Sequence, residues 1–278
     1  MKVNYHCHSR YCRHAFGEVK DYADEARSQA LDILAFTDHV PFPHPLFSSG
    51  RYGNGMDFDE MDLYLSEVKQ VQEEYKGKMK IYSSFEAEYL PEFDSLCEVG
   101  GKNVPSYYRW LLEEKKLDFL LLGEHFYIDS KGEFQNIYTI KDAFQIVEYA
   151  SALKKAMLTG LFKIAAHPDI FSMVDFSLDS KYSEYLEKAG DIIIDAALKS
   201  NTILEFNVNG MRRGLFDYGG EKRYQYPLLN FWEKVSKTEL KVVVGSDCHK
   251  PEQMWDLYVQ NSYKILASMG ISPVEKIF

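Results

Sequence analysis

Positive charge is short in this chain. There are 32 Lys and Arg residues against 42 Asp and Glu, a formal net charge of -10, and no basic run interrupts the deficit. A surface of that sign repels phosphate backbones, so no nucleic-acid partner is expected. A phosphorylated small molecule would need local positive charge, from metal ions or arginine. Cysteine is scarce too. Cys7, Cys12, Cys97 and Cys248 make no CxxC pair, and a chain this long needs no disulfide staples. No apolar run is long enough to span a bilayer and no signal peptide precedes the first strand. A soluble cytoplasmic protein with no membrane partner, a monomer or small homo-oligomer, is the expectation. Repeats, low-complexity tracts and linkers are also missing, so the 278 residues read as a single domain, 1–278. No Gly-rich phosphate loop follows any strand, which argues against an open dinucleotide-binding sheet.

What is present is a strand-then-helix pattern repeated seven times. Short apolar strands are expected at 2–5, 33–36, 79–85, 119–122, 163–166, 202–206 and 241–244. Helices are expected at 18–31, 61–75, 108–116, 139–159, 180–200, 226–236 and 253–268, with Thr139 capping its helix. Residues 41–55 form a long loop broken by proline and glycine, and 91–106 read as irregular. Alternation of this kind implies a parallel sheet with helices outside. Closed on itself, the sheet is an α/β fold of the (β/α)7 barrel type, TIM-barrel-like, with its chemistry at the carboxyl ends of the strands.

The residues at those ends are not a random sample. His6 and His8 follow the first strand, and residues two apart on an extended chain share a face. His39, Glu86, His125 and His167 follow later strands, and Asp247 and His249 follow the last. His14 lies just behind the first pair. Seven of the eight histidines thus fall at or beside a strand end, and only His44 does not. Nine donors of this kind exceed what one catalytic zinc takes from protein. They suit two or three divalent ions, Zn, Fe or Mn, with at least one bridging carboxylate. Clustered ions lower the pKa of a shared water and polarise a phosphoryl oxygen.

His6-Cys7-His8, Thr37-Asp38-His39, Phe85-Glu86-Ala87-Glu88, Glu124-His125-Phe126, Ala166-His167-Pro168 and Ser246-Asp247-Cys248-His249 resemble the ordered motifs of the PHP (polymerase and histidinol phosphatase) family. The run from Asp38 to Pro43, and Glu86 to Tyr89, look most like its histidinol-phosphate phosphatase branch. The resemblance implies a distorted seven-stranded barrel holding three metals. It implies that His6, His8, Glu86 and Asp247 hold the first ion. Glu86 would bridge to a second, held with His125 and His167, and His14, His39 and His249 would hold the third. Glu124 departs from the branch, which usually has a small or apolar residue there. Glu88 competes with Glu86 for the bridge, or meets a substrate ammonium. Asp38 either orients an imidazole or relays a proton, or caps a turn.

The segment from Asn207 to Arg212 resembles the part of the family where an arginine approaches phosphate, with Arg213 as competitor. Arg51, in the covering loop, is a further candidate, since Arg recognises phosphate oxygens bidentately. The expected activity is hydrolysis of L-histidinol phosphate by a metal-bound hydroxide. Arg212 would hold charge, Asp247 or His249 would handle protons, and Asn207, Arg51 and Glu88 would contact the substrate. Another small phosphoester or a nucleotide is the alternative substrate. A metal-dependent binding module is the alternative class.

Overall fold

Ile33-Leu34-Ala35-Phe36 is buried at every position. An apolar run that alternates with nothing polar must be covered on both faces, as the inner strand of a parallel sheet is. The computed structural model describes residues 1–43 and 55–278, which divide into two units. The first comprises Met1–Leu121 and Gly245–Val259. In it β1 (Val3–Asn4), β2 (Ile33–Phe36) and β3 (Lys80–Ser83) pair in parallel in that order. Val3 stands opposite Ile33, and Ile33 opposite Lys80. A short strand, β4 (Glu86–Ala87), follows β3.

Backbone hydrogen bonds continue this order past the strands. Thr37 N–H donates to the Cys7 carbonyl at 2.9 Å, and Glu86 N–H to that of Asp38 at 3.1 Å. On the other side Asp247 N–H donates to the His6 carbonyl at 3.0 Å and His8 N–H to that of Cys248 at 3.1 Å. Four segments rich in donors therefore run side by side. Helix α1 (Val19–Ser28) starts at a Glu18–Asp21 capping box and buries Val19, Tyr22, Ala23 and Ala26, one face at helical spacing. Helix α2 (Met61–Glu74) buries Met61, Tyr64, Val68 and Val71. Helix α3 (Tyr107–Glu113) is capped by Ser106. The expectation of irregular chain at 91–106 is corrected by a hairpin, β5 (Cys97–Val99) and β6 (Lys102–Val104). Gly100 and Gly101 turn it, both at positive φ, 56° and 78°. Such a turn needs left-handed backbone twice in succession, which glycine adopts without a Cβ clash.

The second unit comprises Leu122–Val244 and Gln260–Phe278. Its sheet takes residues from β7 (Leu121–Leu122), β10 (Ile164–Ala165), β11 (Ile203–Asn207) and β14 (Val242–Gly245), in the spatial order β14-β11-β10-β7. Between these strands run two hairpins, β8 (Phe126–Ile128) with β9 (Phe134–Asn136) and β12 (Leu215–Tyr218) with β13 (Glu221–Tyr224). Neither was expected; strands of three or four residues are too short to show a period. The helices are α4 (Gln145–Leu158), α5 (Tyr182–Ser200), the single turn α6 (Asn209–Arg212), α7 (Leu229–Val235) and the closing α8 (Leu257–Ser268). Thr139 does not cap α4. It ends a 3-10 turn, Ile137–Thr139, whose cap is the Asn136 side chain, and Asp142 accepts from the Gln145 N–H at 3.2 Å. Among the described residues no helix is long and apolar enough to cross a membrane.

Trp232 is fully buried in this unit with its ring 5.0 Å from that of Phe206. Its indole N–H donates to Asp169 Oδ2 at 2.9 Å, and the same oxygen accepts from Leu228 N–H at 2.6 Å. Burial raises the Asp169 carboxyl to about 6. Removing an acceptor that serves two buried donors costs each its desolvation, about 1–3 kcal/mol apiece. Asp169→Ala is expected to destabilise the protein by on the order of 3 kcal/mol in urea unfolding, and Asp169→Asn, which keeps the oxygen, by far less. Equal midpoints for the two variants would remove this account.

Candidate metal centre

The site begins with chain parity. Extended backbone from β1 puts His6 and His8 on one side, and their Nε2 atoms lie 3.0 Å apart. His6 Nε2 is 3.3 Å from Glu86 Oε2 and 3.6 Å from Asp247 Oδ1, and His8 Nε2 is 3.3 Å from each. A tetrahedral ion with bonds of about 2.0–2.1 Å sets its donor atoms roughly 3.3 Å apart. The four donor groups match that spacing, and all are buried. Burial opposes ionisation of Asp247, but the imidazoles of His6, His8 and His249 overcome it and hold the carboxyl well below the usual range. Its backbone sits at φ 48°, an uncommon conformation for a non-glycine residue and one that marks functional sites.

His39 enters from the segment after β2. Its Nδ1 is 3.2 Å from Glu86 Oε2, and His39 and Glu86 form a parallel bridge. A single carboxylate oxygen thus faces three imidazoles, of His6, His8 and His39. Beyond them lie His14 and His249, their Nε2 atoms 2.8 Å apart. Each ring has its other nitrogen beside a carbonyl: His14 Nδ1 at 2.6 Å from Cys12 O, and His249 Nδ1 at 3.1 Å from Asp247 O. A carbonyl only accepts, so each Nδ1 carries a proton and each Nε2 is left to face the other ring or a cation. Fixing the imidazole this way is how proteins present it to metal. His8 Nδ1 is also buried with no hydrogen-bond partner. The donor set therefore fits divalent metal.

Among the described residues Asp38 is hydrogen-bonded to Ser9 rather than to an imidazole. Its Oδ1 accepts from Ser9 N–H at 2.9 Å and its Oδ2 from Ser9 Oγ at 2.8 Å, a clamp on the turn that leads to His14. Burial raises its carboxyl to about 7, with Cys12 adding to the shift. Glu88 is buried, and its carbonyl accepts from Tyr108 Oη at 2.9 Å. Among the described residues the converging donor groups include Glu86 and not Glu88. The sequence disfavours a cysteine ligand against histidine and carboxylate, yet Cys12 joins His14 and His249 in one such group. Burial opposes ionisation of its thiol, but His14, His249 and His8 lower it to about 3. The only sequence signal for it was the Cys12-Arg13-His14 spacing.

In the second unit His125 and His167 come together, ring centroids 4.8 Å apart. Both are buried. His167 sits at φ 29°, and its N–H donates to Glu205 Oε2 at 3.0 Å. The same oxygen accepts from Asn207 Nδ2 at 2.8 Å, and Asn207 Oδ1 accepts from Asn209 N–H at 2.8 Å. Asn207 is thus tied into the support of His167. Glu205 was missed, although it shares a strand face with Asn207. Arg212 ends α6 half-buried, whereas Arg213 is exposed and donates to Gln225 Oε1 at 3.3 Å. Glu124 is buried beside His125 in sequence. Arg51 and His44 lie outside the described residues.

A family model for the PHP domain matches residues 4–209. The chain is 30% identical over 264 residues to a histidinol-phosphatase of Lactococcus lactis, covering 91% of this chain and 86% of that protein. It is 22% identical over 262 residues to a histidinol-phosphatase of Bacillus subtilis, covering 90% and 94%. In three dimensions it resembles the histidinol phosphate phosphatase of Lactococcus lactis solved with zinc, L-histidinol and phosphate. That likeness has a TM-score of 0.70 and 18% identity, covers 98% of this chain and 95% of the other, and shows a common fold.

A cation held by these donors stabilises only the native state, because the unfolded chain separates them. At a free zinc concentration of about 100 times the dissociation constant, one site adds about 2.7 kcal/mol. Zinc is expected to raise the melting temperature and a chelator to lower it. His6→Ala is expected to blunt both shifts. A melting temperature indifferent to zinc and chelator would contradict the fit.

Proposed function

The chain belongs to the PHP domain family, and on that premise we propose that it is a histidinol-phosphatase, hydrolysing L-histidinol phosphate to L-histidinol and phosphate. The observation that carries the reading is Glu86 Oε2 within 3.2–3.3 Å of three imidazoles, at the head of a row that ends in His14 and His249. His6, His8, Glu86 and Asp247 would hold one divalent ion, and His14, His39 and His249 would hold another, with Glu86 Oε2 facing His6, His8 and His39. His125 and His167 would hold a third. Zn, Fe and Mn all suit this donor set. When bound, the ions supply positive charge to the phosphoryl oxygens and make a water nucleophilic near neutral pH. The seven strand-and-helix repeats and a family match running from residue 4 to 209 support one domain built as a distorted (β/α)7 barrel.

The protein's own groups do the rest. Asp247, kept ionised by the imidazoles around it, accepts the proton of the attacking water. Burial and His8 lower the pKa of His249, which favours the neutral imidazole that a cation needs. Arg212 binds phosphate oxygens in a bidentate fork and takes up charge as the phosphorus–oxygen bond breaks. Glu88 receives the ammonium of the substrate, and Asn207 fixes the backbone around His167. Arg51 adds a second guanidinium to the phosphate.

Phosphate release by metal-loaded protein tests the substrate. Turnover of L-histidinol phosphate is expected to exceed that of other small monoesters by orders of magnitude; a flat profile across the panel would leave a phosphoesterase of another substrate. Glu86→Ala is expected to lose two ions at once by metal analysis. Loss of one ion alone would move the bridging role elsewhere, with Glu88 the first candidate.

A further inference from the structure

The ligand sets above contain only nitrogen and oxygen, yet one of the four cysteines lies among them. Cys12 closes the 3-10 turn Arg10–Cys12, and Arg13 follows in the left-handed conformation at φ 67°. That single left-handed residue reverses the chain, so that Cys12 and His14 present side chains to a common point. The turn is tied on both sides: Arg10 N–H donates to the Gly17 carbonyl at 3.0 Å, and Phe16 N–H to that of His249 at 2.8 Å. Cys12 Sγ and one nitrogen each of His14 and His249 lie within 4.8 Å of one another. The two Nε2 atoms converge at 2.8 Å with their Nδ1 atoms beside carbonyls. Cys12 is fully buried while His14 is exposed, so the sulfur closes the inner side of this group. The competing neighbour, Asp38, has both carboxylate oxygens engaged by Ser9.

We propose that the Cys12 thiolate is a ligand of the ion held by His14 and His249, making that position a sulfur-containing site within an otherwise nitrogen and oxygen centre. The consequence is selectivity. Thiolate favours zinc and other borderline or soft cations, whereas carboxylate and imidazole also accept manganese. The position is therefore selective for zinc-like cations, and the buried His6, His8, Glu86 and Asp247 set is the more permissive one. Among the described residues, Cys7, Cys97 and Cys248 belong to no such donor group, so a sulfur signal from the bound ion reports Cys12.

The inference rests on the metal reading of His14 and His249, and cobalt(II) separates the two claims. The full chain loaded with cobalt is expected to show visible d–d bands from bound ion and a near-ultraviolet thiolate-to-cobalt charge-transfer band. Cys12→Ser is expected to abolish the charge-transfer band. It is also expected to weaken one ion by more than the ~10–100-fold that follows loss of an outer-shell partner. Cys12→Asp, which restores an anionic donor without sulfur, is expected to recover the ion and not the band. Bands from bound cobalt without charge transfer in the unaltered protein would overturn the sulfur ligand and leave the metal centre standing. A charge-transfer band that survives Cys12→Ser, or a loss of less than about 100-fold, would also overturn it. Protein that takes up no cobalt would remove both readings.

Discussion

Seven donors of one polarity are packed against each other in the first unit, and everything near them is arranged to make that tolerable. His6, His8 and His39 crowd a single oxygen of Glu86 at 3.2–3.3 Å, and His14 faces His249 at 2.8 Å. Buried lone pairs and carboxylates so close are costly unless a positive charge offsets them. The chain meets part of that demand through protons on buried imidazole. His8 is the case in point: burial works against its charge, but Asp247, Cys12 and Glu86 hold its pKa well above the usual value. A divalent cation meets the demand more completely, and it displaces those protons when it binds.

The backbone makes such crowding reproducible. Side chains two residues apart reach a common face only where the chain is extended, and the interstrand hydrogen bonds continue past β1, β2 and β4 to keep it so. Two donors, Asp247 and His167, need an uncommon positive φ, and each is held by neighbours. Asp247 N–H is tied to the His6 carbonyl, and His167 N–H to the Glu205 carboxylate. Ser9 and Asp38 hold the turn that carries Cys12 and His14. The rigid supports are thus polar and buried, and two of them, Ser9 and Asp38, adjoin the donors His8 and His39 in the chain.

The donors were legible in sequence because they obey a rule of position. A histidine or carboxylate directly after a short apolar run is rare enough that its recurrence at six strand ends carries meaning. The supports were not legible. Asp38 beside His39 reads equally as a turn cap, and only the structure shows it bound to Ser9, 29 residues earlier in the chain. Glu205 lies between Leu204 and Phe206 in a wholly buried strand, where a carboxylate has no evident partner until His167 is placed next to it. Cys12 follows no strand, so the same rule passed over it. The three hairpins escaped for another reason: their strands run to three or four residues, too short for an apolar period to stand out. The seven main strands and most helices, by contrast, bury one pattern of apolar residues each.

The row of donors is not uniform in its access to water. His6 and His8 are wholly buried, whereas His14 at the other end is exposed. Ions bound at the two ends would therefore exchange with the medium at different speeds. The open end would equilibrate with whatever the surroundings hold, and the closed end would keep the ion present when the chain folded. Two preparations of identical sequence, grown on different trace elements and then washed into one buffer, would share their outer occupant and differ in the inner one.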